Sequence, residues 1–508
     1  MKSPIQLSTS MKIHLKFMLL IFLTGSLSAQ NMDEYQKKQQ AEMQKMQQEQ
    51  TSGTNKLKKE YTDYVSKRDT EWADYLRQEW EQFEVFAGKK SPLKPKPTDM
   101  PAYTPPGEVP VPKVIPPAVK PVVVPVDVPK PEPNPENPLC KPAENASNAD
   151  KITLDFYGCG LSVPYDIAMT SCRLTEVSQN ALSSFWEKLS ATNYTPTVEQ
   201  LLKAKSELKL NDYGYFQLVQ QVSINLSKTN ENEACLLSWF IMVRSGYGVR
   251  AAFKDQQIAL LVPLNQQVYS HSFISVGNKK FYLFPEIKGG SLSTYDKDYS
   301  TTSQMLDLNI VHPLNFAERR TEKTFSFSFD NSAYNLKLAY NPDLINFYKK
   351  YPQVDFEVIF NAASSTQAKQ SMVAALKPYT TQMDELKAVN FLLHFVQTAF
   401  QYKTDEEQFG REKWFFPEEL FYYPYSDCED RSALFAYIVS EIMGLKVIGL
   451  QYPDHLATAV AFNVTANGDY LMYKKRRYVV SDPTYIGAPA GQTMSQYKNI
   501  SPRIIDVK

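Results

Sequence analysis

Three residues in the last third of the chain are of the types that acyl-transfer chemistry needs. Cys428 stands in Tyr425-Ser-Asp-Cys-Glu-Asp-Arg-Ser432, directly ahead of an apolar helical pattern made by Leu434, Phe435, Tyr437, Ile438 and Ile442. That pattern puts the thiol at a helix N-terminus. There the helix dipole favours thiolate, and backbone N–H groups are free to hold an oxyanion. His455 leads the strand-like run ending at Phe462, so it can present an imidazole base from a sheet edge. Asp482 ends the apolar run that begins at Tyr478, in Ser481-Asp-Pro-Thr-Tyr485, and can orient that imidazole. The chemistry expected of such a set is thiolate attack on a peptide or amide carbonyl.

Such a site needs a helix and neighbouring antiparallel strands to position it. The pattern predicts helices over 381–400 and 428–443 and strands near 446–451, 457–464, 469–473 and 477–481. Upstream, helical patterns lie near 174–190, 196–226 and 230–245, and strand-like runs at 249–253, 258–262, 272–276 and 280–284. Residues 323–361 alternate in the manner of strands. The fold class expected is α+β, with helix-on-antiparallel-sheet domains in tandem.

The remaining chain sets the context. At 508 residues it is too long for one ordinary domain, and 43% hydrophobic residues supply folded cores. Residues 31–90 are rich in Gln, Glu, Lys and Met and favour a helical tail or weak coiled coil. Residues 91–147 form a Pro-rich linker of extended character. Residues 1–30 read as a signal peptide: Lys12, His14 and Lys16, then the apolar run Phe17–Leu23, then small residues. That run is too short for a membrane span of the mature chain, so a periplasmic or extracellular protein is expected, with an uncleaved anchor as the alternative. Lys plus Arg number 55 and Asp plus Glu 55, so no basic excess draws the chain to nucleic acid. Five cysteines leave at least one unpaired, and Cys159 with Cys172 is the pair that proximity favours.

The ordered set of Cys428, Gly444-Leu-Lys-Val447, His455 and Asp482-Pro-Thr484 resembles the transglutaminase-like superfamily, whose fold is papain-like. Phe395-Val-Gln-Thr-Ala-Phe-Gln-Tyr402 is similar to the helix that precedes the Cys segment there. Trp414-Phe-Phe-Pro417 followed by Asp427-Cys-Glu-Asp430 resembles the bacterial transglutaminase-like cysteine peptidases more closely. The resemblance implies a protein or peptide substrate and no obligatory cofactor. It also implies calcium as a candidate ligand of Asp427, Glu429 and Asp430. The other reading of these three is helix capping and dipole stabilisation. A non-catalytic binding scaffold is the alternative function, because such folds also serve as binding modules.

An upstream stretch repeats the pattern. Asn230 to Val249 aligns without gaps on Cys428 to Val447, placing Asn230 at the nucleophile position. His271 is matched to His455 and Glu286 to Asp482, while Cys235 falls inside the helix as a core thiol. An alternative alignment makes Cys235 the nucleophile. The expected organisation is a degenerate domain over 148–310, a β-rich insert over 311–375 and an intact domain over 376–508.

Overall fold

The computed structural model describes residues 29–78, 80–94, 101–105, 150–228, 230–300 and 303–508. The signal peptide expected over 1–30, apart from its last two residues, and most of the linker lie outside them. The chain forms two units, one ending at Glu71 and one running from Trp72 to Lys508. What is described of the first is a helical stretch of α1 (Ala29–Gln78), with exposed Lys56–Glu60 and Lys67–Glu71 pairs four residues apart.

The helical tail expected over 31–90 stops earlier. Within the second unit Trp72, Ala73 and Leu76 are buried on one face of the last turns of α1. Residues Glu81–Glu84 then form an edge strand, β1. A hairpin of β2 (Lys151–Phe156) and β3 (Cys159–Pro164) turns through Tyr157 and Gly158, both with positive φ, as a tight two-residue turn requires. Four helices follow: α2 (Gln179–Ser190), α3 (Thr195–Glu207), α4 (Asp212–Ser227) and α5 (Glu231–Arg244). The single helix expected over 196–226 is broken where Lys209 turns left-handed and the Asn211 side chain caps α4 through Gly214 N.

Five strands come next: β4 (Arg250–Lys254), β5 (Gln257–Pro263), β6 (Phe273–Val276), β7 (Lys279–Phe284) and β8 (Ser291–Thr294). A long hairpin, β9 (Thr321–Phe329) with β10 (Ser332–Tyr340), leads to α6 (Pro342–Lys349), α7 (Thr366–Thr380) and α8 (Glu385–Ala399). Then comes α9 (Cys428–Met443), and after it β11 (Lys446–Gln451), β12 (Leu456–Ala461), β13 (Tyr470–Tyr473), β14 (Arg476–Ser481) and β15 (Arg503–Asp506). The fold is therefore mixed α+β.

The two sheets have one plan. In each half a helix, α5 or α9, precedes five strands. Numbered in chain order, the strands lie side by side as five, one, two, four, three in both sheets, and β1 extends the first sheet beyond β8. The register agrees as well. Ala251 faces Leu260 in the first sheet and Gly449 faces Thr458 in the second, each a shift of 198 (458 − 260). Gly246 and Gly444, which end the two helices, are both left-handed. One hydrophobic core runs through both halves, from Trp72 to Ile505. In the second sheet Val447, Leu456 and Val460 point into that core, while Ile448, Leu450 and Ala459 point to a smaller cluster on the opposite face.

Within residues 311–375 the strands are the hairpin and the two residues Gln353–Val354; α6, a short helix at Phe356–Phe360 and most of α7 account for the helical part. Phe327 of the hairpin packs on Phe391 and Phe395 of α8, with ring centroids 5.3 and 5.2 Å apart. Glu418 fastens the end of the hairpin to the start of α7. Its carboxylate accepts from Asn341 N (2.7 Å), Ser365 N (2.6 Å) and Ser365 Oγ (2.8 Å).

Burial pushes the Glu418 carboxyl up to about 7, against the pull of those three donors. A carboxyl with a raised folded-state pKa binds more protons folded than unfolded between its ordinary value and about 7, so its contribution to stability is lost as pH rises through that window. Urea unfolding at pH 5 and pH 8 should show a loss of stability in the wild type that is smaller in Glu418→Gln, by roughly 3 kcal/mol. Equal pH dependence in the two proteins would contradict this role.

Candidate functional site

Cys428 is the first residue of α9. Asp427 precedes it in extended conformation and donates its backbone N–H to Asp430 Oδ2 at 3.3 Å, the return arm of a capping box. His455 immediately precedes β12 and Asp482 immediately follows β14. These strands pair with Thr458 opposite Ser481, so the sheet itself brings imidazole and carboxylate together. His455 Nε2 lies 2.8 Å from Asp482 Oδ2. A carboxylate only accepts, so Nε2 carries the proton and Nδ1 is left as the basic nitrogen.

The thiol is joined to this pair through the residue next to His455. The backbone N–H of Leu456 is directed at Cys428 Sγ, and Ser432 Oγ, one turn along α9, donates to Leu456 O at 2.8 Å. Tyr497 lies flat on the His455 ring, with centroids 5.0 Å apart and planes 12° apart, and its hydroxyl donates to Asp454 at 3.0 Å. All three residues read from the sequence thus sit at one locus. Cys428 and His455 are each 1% exposed.

Two side chains that sequence reasoning missed hold the locus together. Gln397 of α8 is buried, and its Nε2 donates to the carbonyls of Asp482 (3.0 Å), Tyr485 (2.8 Å) and Ala488 (3.0 Å). Its Oε1 accepts from Gly487 N at 3.1 Å. Arg431, one turn after Cys428, donates to Gln397 O at 3.0 Å and Phe400 O at 2.8 Å, which caps the C-terminus of α8. Burial lowers this guanidinium to about 10. The available signal was position alone: Gln397 lies on the apolar face of an amphipathic helix, where a polar residue needs a partner.

The electrostatics correct one expectation. The helix dipole was expected to lower the Cys428 pKa, yet the thiol is held well above its usual range. Burial is the main cause, followed by the charges of Glu429 and Asp427, and the thiol donates to Glu429 Oε2 at 3.0 Å. Burial removes the water a thiolate needs, and the two carboxyl groups beside the sulfur oppose the roughly half positive charge of the helix end.

Those carboxylates belong to a larger buried group. Asp405, Asp427 and Asp430 bring carboxylate oxygens within 4.8 Å of one another, and so do Asp405, Glu412 and Glu429. Burial raises the pKa of all five, to about 7 for Asp430. Asp427 Oδ1, Glu429 Oε1 and Glu412 Oε2 are buried and have no hydrogen-bond donor. Asp430 differs, because Phe415 N (2.8 Å) and Asp427 N take its two oxygens. Of the expected metal ligands, Asp427 and Glu429 therefore have free oxygens, while Asp430 acts as a capping residue. Asp405 and Glu412 join the group through a loop that no local spacing announces.

The first half lacks this site entirely. By strand register the positions of His455 and Asp482 fall on Gln257 and Pro285, and the nucleophile position falls on Asn230, the cap of α5. This corrects the matching of His271 and Glu286 to the triad. His271 precedes β6, a different strand, and pairs with Glu286 at 3.4 Å. Cys235 lies in the second turn of α5, its thiol pushed up to about 12 by burial, as befits a core thiol. Cys172 is a free thiol, whereas Cys159 is disulfide-bonded, so the expected Cys159–Cys172 pair does not form.

No family model, curated protein or solved structure matches the chain.

Gln397→Ala would leave buried carbonyls and one N–H without partners around Asp482, at a cost of about 3 kcal/mol. Denaturant unfolding should report that loss. An unchanged midpoint would mean that Gln397 does not hold the loop.

Proposed function

We propose that the chain is an exported thiol hydrolase or acyl transferase of the transglutaminase-like kind, acting on peptide or amide bonds as a cysteine peptidase. The 2.8 Å contact between His455 Nε2 and Asp482 Oδ2, beside the thiol at the start of α9, carries this reading. Cys428 gives its proton to His455 Nδ1, and Sγ attacks the substrate carbonyl carbon. Backbone N–H groups at the start of α9 hold the oxyanion that forms. The C–N bond breaks as His455 returns the proton to the leaving amine. Water, deprotonated by His455, then hydrolyses the thioester and restores the thiol. Asp482 keeps the imidazole in the productive tautomer throughout. Export is supported by the N-terminal sequence, and no helix among the described residues is long and apolar enough to cross a membrane.

The reading includes calcium. Three buried carboxylate oxygens without donors suit a hard cation, which Asp405, Glu412 and Glu429 would hold, with Asp427 converging on Asp405 from the other side. Bound there, it would offset the carboxylate charge around Cys428.

A second reading, a non-catalytic binding scaffold, is favoured by the near-complete burial of Cys428 and His455. Turnover requires that cover, Tyr497 included, to move off the imidazole.

Two outcomes separate these readings. Peptide turnover, followed with an unfolded protein substrate, should vanish in Cys428→Ala and fall by roughly 10²–10⁴-fold in Asp482→Asn. Loss-free variants would leave the scaffold. Calcium added at a hundredfold excess over its Kd should stabilise the protein by about 2.7 kcal/mol in thermal unfolding. The effect should be absent in Asp427→Asn/Glu429→Gln, and a thermal midpoint indifferent to calcium and chelator would remove the metal from the account.

A further inference from the structure

Gln397 does more than steady Asp482. Its amide grips the chain on both sides of Ile486, taking Tyr485 O at 2.8 Å and Gly487 N at 3.1 Å. Tyr485 to Ala488 is a turn, closed by Ala488 N donating to Tyr485 O at 3.1 Å with Gly487 at positive φ, and its trans peptides set Ile486 N–H and C=O opposite to Tyr485 O and Gly487 N, facing outward. The result is a ledge one residue long, with one donor and one acceptor.

That ledge is filled by the chain's own Pro101–Pro105. Ile486 N donates to Pro101 O at 2.9 Å, and Tyr103 N donates to Ile486 O at 2.8 Å. Ala102 and Ile486 form a parallel bridge. The Tyr103 ring meets Tyr485 edge-on, with centroids 5.6 Å apart and planes at 89°. Tyr485 N in turn donates to Asp482 O at 3.3 Å, so the ledge is continuous with the loop that carries the candidate triad acid. Ala102, Thr104 and Pro105 are exposed, and the contact amounts to two backbone bonds and one aromatic pair. Contacts of that size are worth about 1 kcal/mol each. They hold the segment chiefly because it is tethered, at an effective concentration on the order of millimolar.

We propose that Tyr485–Gly487 is a subsite for an extended peptide taken up by β-pairing, and that Pro101–Pro105 is the chain's built-in competitor for it. The substrate class is then an extended or unfolded polypeptide that sets an aromatic residue against Tyr485. The catalytic meaning of this subsite rests on the function proposed above; the binding itself does not.

The test uses a fluorescent synthetic peptide copying residues 99–107 and anisotropy titration into two full-length proteins. Both carry Cys428→Ala, so no turnover intervenes, and one also carries Tyr103→Pro. That substitution removes the N–H that Ile486 O accepts, at a part-exposed position. The peptide should bind the Tyr103→Pro protein at least about tenfold more tightly than its parent, because the tethered competitor is weakened. The same peptide N-methylated at its tyrosine amide should lose that binding. Affinities equal within about threefold, or no binding to the Tyr103→Pro protein at millimolar peptide, would overturn the proposal. Peptide binding here, with no turnover by the protein that retains Cys428, would keep the ledge and remove the enzyme; turnover by that protein without peptide binding here would do the reverse.

Discussion

Five carboxyl groups crowd the buried start of α9, and everything near the thiol depends on how that charge is met. Taking one carboxylate out of water costs several kcal/mol unless a proton, a donor or a cation compensates it. Asp430 is met by two backbone N–H groups, and Asp405 accepts from Lys413 N at 2.6 Å. Lys413 Nζ is engaged by Glu419 at 2.8 Å. Asp427 and Glu429, which flank Cys428, are left with oxygens facing no donor. Their charge reaches the sulfur first, so whatever neutralises them also sets the state of the thiol. A site placed at a helix start for its positive potential thereby becomes a site governed by its carboxylates.

The rest of the fold serves to hold that helix start against one sheet. Both halves use the same strand order and the same register, yet only the second carries Cys, His and Asp at the matching positions. In the first half Asn230, Gln257 and Pro285 leave a framework whose core is continuous with that of the second. Its sheet is extended by β1, so the chain just before the Pro-rich stretch is anchored there. From that anchor the chain reaches Ala102, which bridges to Ile486 beside the candidate site. The duplication thus supplies packing and a tether, while the chemistry proposed here belongs to one copy.

The sequence made the locally encoded parts plain. A Cys ahead of an apolar helical stripe, a His heading a strand and an Asp-Pro-Thr closing another are signals contained within a few residues, and the folded chain brings all three together. The tandem organisation was visible because α5 and α9, with the strands directly after them, align without gaps. The alignment failed further on, at His271 and Glu286, because strand pairing and not residue similarity fixes equivalence there. Asp405, Glu412, Gln397 and Tyr497 were missed for a common reason: each reaches the site from a distant segment, and none has a spacing that announces it. The state of the thiol was misjudged by weighing the dipole of its own helix without the charges buried beside it.

The central claim is that Cys428 is a nucleophile activated by His455. It is tested most directly by the rate at which iodoacetamide alkylates Cys428 from pH 5 to 9, in calcium, read by mass spectrometry for the wild type and His455→Ala. With calcium offsetting the carboxylates that help to raise the thiol, alkylation of the wild type should begin below the ordinary thiol value of about 8.5 and slow markedly in His455→Ala. Slow alkylation in both proteins, rising only above about pH 8.5, would show a thiol that no histidine activates and would contradict it.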